Sequence, residues 1–268
     1  MITTIKSEWR KNRFRPAFLI GSGLIAAITG LAYGSNWYIA THPGSGERAV
    51  QLSTLYPGHF VDSVLGAGFP LGAALAIVLG AIFAGSDYSW GTLKTVLSQG
   101  PGRVTVWAGR VIVFNVWMGI MTVVLFAVGA ALSALIASFE GAAITWPALD
   151  VMAKGFGTIW LVFIANGAIG LALGMLIRQS AAALGVGVVY LLSVEVIAVR
   201  FIDGLSNGAY RWIGDLFVGQ NASALIGSLS PGPVAPAISA EQAVLVLLAY
   251  AIGLVAVAGG LLRWRDVS

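Results

Sequence analysis

Cysteine is absent from this 268-residue chain, and charged residues make up only 10% of it. Without cysteine there are no disulfides, thiolate nucleophiles or zinc–thiolate sites. The two histidines, His42 and His59, fall in one predicted loop without ligand spacing, so we expect no metal site. A soluble domain carries roughly 25% charged residues. A chain that is 58% hydrophobic, with a mean hydropathy of +0.88, therefore indicates a membrane protein.

Six apolar stretches are long enough to cross a hydrocarbon core, which takes about 20 helical residues. Because a helix satisfies its own backbone hydrogen bonds in lipid, they predict an all-α integral membrane protein. We expect one transmembrane domain over residues 17–268, after an N-terminal segment of residues 1–16. The predicted spans lie near 17–34, 64–85, 111–136, 155–177, 181–200 and 242–262.

Lys and Arg are divided unevenly between the two sides of this layout. With a cytoplasmic N-terminus, one side holds Lys6, Arg10, Lys11, Arg13, Arg15, Lys94, Arg103, Arg110, Arg178, Arg263 and Arg265. The other side holds Arg48, Lys154, Arg200 and Arg211. This bias places both termini in the cytoplasm and predicts a multi-pass protein of a bacterial inner membrane. The net charge of +4 reflects the same rule, so we expect no nucleic-acid partner.

The first 16 residues, MITTIKSEWRKNRFRP, are basic with Trp9 and Phe14 interleaved. They predict a cytoplasmic amphipathic helix on the anionic inner leaflet, or simply solvated charges that set topology. A cleaved secretory signal has the same order of basic and apolar residues. The apolar run here is longer and five further spans follow, which favours a retained first span.

Two of the segments that connect the spans on the predicted outer side are long. Residues 35–63 contain Pro43, Gly44 and Pro57 and are expected to be irregular, with short helical pieces. Within 201–241, the stretch FVGQNASALIGSL is too short to span and too apolar for a free loop. It predicts outer-leaflet or re-entrant helices before the last span.

Signatures of catalysis are missing from the sequence. It contains no G-x-x-x-x-G-K-[ST] loop, no H-E-x-x-H motif and no paired carboxylates on a membrane face. We therefore expect no catalytic residues in this chain. No internal repeat joins the two halves, which disfavours an ATP-independent secondary transporter.

Ionisable and amide side chains inside predicted spans are candidates for a polar path, because such groups are costly in lipid. They are Glu195, Asn115 and Asn166. The favoured alternative for Glu195 is an ion pair with Arg200 or with a cation of the outer loops. The two asparagines could equally hydrogen-bond across helices as structural contacts.

Residues 85–110, GSDYSWGTLKTVLSQGPGRVTVWAGR, are polar and lie between two spans. We predict a short amphipathic helix here, capped by Ser86, with Asp87 in its first turn and Lys94 near its C-terminus. The Gly-Pro-Gly turn at 100–102 ends it. Its aromatic residues would also suit a simple interfacial anchor.

The order of residues in this segment resembles the permeases of type-2 ABC exporters. The shared pattern is acidic–aromatic–x–Trp–Gly–Thr–Leu–Lys, then Leu-Ser-x-Gly-Pro-x-Arg, then Gly-Arg entering a span. Asp87 stands where the family usually has Glu, and Ser89 where a basic residue is frequent. The six-span layout is also similar. The resemblance implies a coupling helix that docks in a groove of a separate ATPase.

The resemblance further implies a permease dimer, identical or paralogous, with two ATPase copies that bind ATP and Mg, all in membrane lipid. A non-transporting membrane scaffold or sensor component is the alternative. The implied coupling residues are Asp87, Tyr88, Trp90, Gly91, Thr92, Leu93, Lys94 and Arg103.

Overall fold

The structure, a computed structural model, describes residues 2–42, 51–89, 102–206, 210–230 and 237–264. Within these ranges there are helices and turns but no strands. The helices are α1 (Ile2–Asn12), α2 (Pro16–Thr41), α3 (Phe60–Gly68), α4 (Leu71–Ser89), α5 (Arg103–Phe139), α6 (Leu149–Ile177), α7 (Ser180–Val189), α8 (Glu195–Ser206), α9 (Arg211–Gly214), α10 (Val218–Gly227) and α11 (Ala240–Trp264).

Among the described residues, five helical segments are long and apolar enough to cross a membrane, and a sixth is added if the bent α3–α4 pair is one span. The five are α2, α5, α6, the α7–α8 segment and α11. Large apolar side chains such as Leu31, Ile197 and Ile252 face outward. An apolar exterior of this kind suits lipid rather than water. The predicted all-α, multi-pass membrane fold therefore agrees with the structure at this level.

The second predicted span, 64–85, is not one straight helix. α3 ends at Gly68, and α4 begins at Leu71 after a bend of 49°. Pro70 explains the break, because proline lacks a backbone N–H and disfavours the helical conformation in the residue before it. The apolar run is continuous through this point, so hydropathy alone does not reveal the bend.

The third span is longer than predicted. α5 begins at Arg103 instead of residue 111 and continues to Phe139. Arg103 and Arg110, which we placed in a loop, are therefore helical residues. The added eight residues lengthen the helix by about 12 Å.

The N-terminal segment and the segment 201–241 both contain helices. α1 lies within residues 1–16, where the sequence predicts a helix. The FVGQNASALIGSL stretch contains α10, whose Val218, Asn221 and Ala222 are buried. Between α7 and α8 the chain makes a π-helical turn, Tyr190–Val194, that the sequence did not indicate.

The most extensive helix contact joins α4 and α6, and glycines allow it. A Cβ atom added at Gly170 would lie 2.0 Å from the carbonyl oxygen of Ile77, and one added at Gly80 would lie 2.3 Å from that of Gly167. The two backbones are thus in direct contact at this crossing, which is the packing that small residues permit in membranes. α11 packs on α6, and α2 packs on α5.

Candidate functional site

Five arginines gather at one end of the helix bundle, which we call the basic end. There α2 begins, α4 ends, α5 begins, α6 passes to α7, and α11 ends. This end also carries both attachment points of segment 90–101. The arginines are Arg15, Arg103, Arg110, Arg178 and Arg263.

Arg15 joins the start of α2 to the last turns of α4. Its Nη1 donates a 3.0 Å hydrogen bond to the hydroxyl oxygen of Ser86. Both side chains are buried, at 8% and 6% exposure. A buried hydrogen bond to a charged group contributes about 1.5–3 kcal/mol, so this contact fixes the end of α4 from one side.

Arg110 fixes the end of α4 from the other side. Its Nη2 donates a 2.9 Å hydrogen bond to the carbonyl oxygen of Phe83. The guanidinium also lies 5.3 Å from the centre of the Phe83 ring, and the side chain is 1% exposed. A buried cation therefore cross-links α4 and α5, the two helices that flank residues 90–101 in the chain.

The start of α5 is attached to the last helix as well. Arg103 Nη1 donates to the carbonyl oxygens of Leu262 and Arg263, at 3.2 and 3.3 Å. These carbonyls lie in the last turn of α11, where a cation is favourable to the helix dipole. One turn further along α5, Trp107 Nε1 donates to the carbonyl oxygen of Val255 at 3.0 Å.

α1 rests on the same part of the bundle through aromatic stacking. The Trp9 ring stacks on Trp117 with 5.5 Å between centroids, and Phe18 stacks on Trp117 at 4.7 Å. A Cβ at Gly109 would be 3.1 Å from Thr4, so α1 and α5 approach closely. The N-terminal helix is thus packed against α5.

The predicted helix cap in segment 85–110 is wrong. Ser86 and Asp87 lie in the last turns of α4, not at the start of a new helix, because no residue before them interrupts the helical run. The Ser86 hydroxyl accepts from Arg15. Tyr88 is helical too, whereas Trp90, Gly91, Thr92, Leu93 and Lys94 lie outside the described residues.

The structure does not connect the three polar residues predicted inside the spans. Asn115 Nδ2 and Asn166 Nδ2 each donate, at 2.9 Å, to the carbonyl four residues earlier in their own helix. The expected cross-helix side-chain bonds are not formed among the described residues. Instead Trp160 Nε1 donates to the backbone oxygen of Asn115, at 3.3 Å. No hydrogen bond joins any two of Asn115, Asn166 and Glu195.

Glu195 has a different partner from the one predicted. Its Oε1 accepts hydrogen bonds from the backbone N–H groups of Gly219 and Gln220, the latter at 3.3 Å. These are the first N–H groups of α10, a position where a carboxylate is stabilised. The expected pair with Arg200 is therefore wrong. The 3% exposed Glu195 instead holds α10 against the α7–α8 segment.

A polar cavity lies at the end of the bundle opposite to the basic end. It has a volume of about 520 Å³ and is lined in part by Asn36, His59, Asp62 and Ser230. Ser230 Oγ donates to Asp62 Oδ1 at 2.9 Å, and His59 Nδ1 lies 4.0 Å from Asp62 Oδ2. Within the described ranges, no group of three or more His, Cys, Asp or Glu side chains could hold a metal ion.

Sequence reasoning missed the contacts that hold the basic end together. Arg15 and Arg110 were counted only as charges that set topology, and Ser86 only as a cap. Two signals were present: Arg15 directly precedes the apolar run of α2, and Arg110 follows Gly109 inside a helix. A cation so close to a span is costly unless it is paired.

This fold defines a polytopic α-helical membrane protein with a cross-linked basic end. The chain belongs to the DUF2705 family, described as a protein of unknown function, whose model matches residues 25–267. No curated protein matches the chain.

Proposed function

We propose that this protein is the permease subunit of an ABC exporter, driven by a separate ATPase that docks on residues 85–110. The support is the order of residues in that segment together with its attachment. Each end of segment 90–101 continues into a helix that is held by a buried arginine, Arg15 at Ser86 and Arg110 at Phe83. The attachment at both ends is the observation on which the proposal depends.

A docking segment must transmit force to the transmembrane helices. A flexible connection between the segment and those helices would not transmit it. A displacement of segment 90–101 acts directly on α4 and α5, and through Arg15 it acts on α2. From α4 the displacement passes to α6, because the two backbones touch at Gly170 and Ile77. Packed helices switch between discrete arrangements instead of deforming continuously. The basic end is therefore suited to convert a local push into a movement of several spans.

In this proposal the bent α3–α4 pair is one span, so the permease has six. Both termini and a coupling helix within 85–110 face the cytoplasm of a bacterial cell. The outer helices α9 and α10 precede the last span. Two permease copies, identical or paralogous, work with two ATPase subunits that bind ATP and Mg, and this chain contributes no catalytic group.

The test uses the full protein purified together with its partner subunits. Asp87→Ala and Lys94→Ala, singly and together, are expected to lower permease-dependent ATP hydrolysis at least about tenfold, or to lose the ATPase during purification. The matched control is Asp150→Ala with Lys154→Ala, an exposed ion pair of 3.3 Å beyond the opposite end of the bundle. The control variants should retain full hydrolysis and assembly.

The outcome separates the proposal from its alternative. A non-transporting scaffold or sensor would show no ATP hydrolysis that depends on this chain, whichever variant is assayed. Normal hydrolysis and normal ATPase retention in the Asp87 and Lys94 variants would remove segment 85–110 as the docking site.

A further inference from the structure

A long apolar groove runs between α5 and α11, with α6 as its floor. Its volume is about 800 Å³, within the range of small-molecule sites. We call it the α5–α11 groove. It is defined by Val104, Trp107, Asn115, Leu248, Gly260 and Arg263.

The groove runs lengthwise along the helices from the basic end. Its α5 side extends from Val104 to Asn115, about 16 Å along a helix, and its α11 side from Arg263 to Leu248, about 22 Å. Half of a hydrocarbon core of about 30 Å is about 15 Å, so the groove is long enough to take an acyl chain of one leaflet.

Polar groups are confined to defined places along the groove. Arg263 lies at the mouth, and its side chain forms no ion pair with any residue in the described ranges. The Trp107 N–H is already used by Val255, so this residue offers the groove an apolar ring. None of the lining residues is acidic. An occupant would meet a cation at the surface and hydrocarbon below it.

An acyl chain suits this groove, because the lining is apolar between Arg263 and Asn115 and an acyl chain carries no polar groups that need partners there. Basic pockets between transmembrane helices are a recurrent way to hold anionic lipid headgroups.

We propose that the α5–α11 groove binds one acyl chain of an anionic phospholipid, whose phosphate lies at Arg263. The lipid site does not rest on the proposed function, although Val104 and Trp107 of the groove belong to the segment 85–110 discussed above. In this proposal one phospholipid is a specifically bound ligand, distinct from the bulk lipid that surrounds the protein.

Two glycines of α11 provide a matched pair of variants. Gly260 lines the groove, and a Cβ added there has no heavy atom within 4 Å. Leucine at 260 therefore projects into the groove without displacing the protein. Gly253, on the same helix, is equally unobstructed but does not line the groove. Gly259 is unsuitable, because its Cβ would be 2.8 Å from the Trp107 ring.

The experiment labels the full-length protein in lipid nanodiscs with a phosphatidylglycerol that carries a photoreactive diazirine in its acyl chain. Labelled peptides are then mapped by mass spectrometry. The wild type and Gly253→Leu are expected to be labelled on α5 and α11 along the groove. Gly260→Leu should lose at least about tenfold of this labelling, while its apparent Tm stays close to that of Gly253→Leu.

The headgroup is tested with Arg263→Gln and a phosphatidylcholine probe of the same chain. Arg263→Gln should reduce labelling by phosphatidylglycerol towards the level seen with phosphatidylcholine. Equal labelling of the wild type by both lipids would overturn the anionic part of the proposal. Undiminished labelling in Gly260→Leu, or a crosslink from the groove to a second copy of the chain, would overturn the site itself.

Discussion

Arg110 on α5 donates a 2.9 Å hydrogen bond to the backbone oxygen of Phe83 on α4, and neither side chain exceeds 1% exposure. This relationship joins the last turns of α4 to α5, the two helices on either side of residues 90–101 in the chain. It also explains how an arginine is accommodated within a span, since a buried cation needs compensation by hydrogen bonds and ring contacts.

The first prediction follows from that contact. Arg110→Gln shortens the side chain and removes its charge, so the bond to Phe83 is lost within a buried site. We expect a loss of about 1.5–3 kcal/mol in the free energy of unfolding. The measurement is thermal unfolding in detergent, followed by tryptophan fluorescence. Arg10→Gln, at an exposed position of α1, is the control. If both variants melt at the same temperature, the Arg110 contact does not stabilise the bundle.

The second prediction concerns the crossing of α4 and α6. Gly170→Ala places a methyl group against the backbone of α4, so the helices must separate. We expect a loss of about 1–3 kcal/mol or more. Gly157→Ala is the matched control on the same helix, because nothing lies within 4 Å of its added Cβ. The measurement is size-exclusion chromatography after heating. The temperature at which the monodisperse peak is lost should be lower for Gly170→Ala than for Gly157→Ala. A Gly170→Ala protein as heat-resistant as Gly157→Ala would contradict the backbone contact.

The third prediction concerns the attachment of α10. Glu195→Leu leaves the N–H groups of Gly219 and Gln220 without their acceptor, at a cost of about 1–3 kcal/mol. Hydrogen exchange of residues 217–222 should therefore become faster. Glu195→Gln keeps an acceptor oxygen and should lie between the wild type and the leucine variant. Unchanged exchange in Glu195→Leu would show that other contacts hold α10.

The fourth prediction concerns α1. Trp9→Ala removes the ring stacked on Trp117 and should release the N-terminal helix. Faster trypsin cleavage after Lys11 and Arg13 is the expected readout. Ile2→Ala, at a residue 73% exposed on the same helix, serves as control. Equal cleavage of the two variants would mean that the stack does not hold α1 in place.

Part of this architecture could be read from the sequence, because lipid imposes a strong constraint on apolar runs. The α-helical class and the approximate position of each span follow from their length and hydropathy. The bend at Pro70 was also readable, since proline is a local signal. The bend is hidden in a hydropathy profile, because the apolar run is uninterrupted on both sides of Pro70.

The long-range polar contacts could not be derived in the same way. Arg110 bonds a backbone carbonyl 27 residues away, and Glu195 bonds backbone N–H groups 24 and 25 residues away. Backbone partners carry no residue-type signature, and their choice depends on how the helices cross. The size of the α5–α11 groove depends on the same packing, so only the structure shows it.

Arg103 has a consequence for the bundle as a whole. Contacts run from α2 to α4, from α4 to α6, from α6 to α11, and from α5 back to α2. The bonds from Arg103 to the end of α11 close this series into a ring. A tilt of any one of these five helices must therefore be accommodated by its neighbours on both sides. The α5–α11 groove lies where the first and last members of the series meet. A change in its width would be transmitted to all five helices.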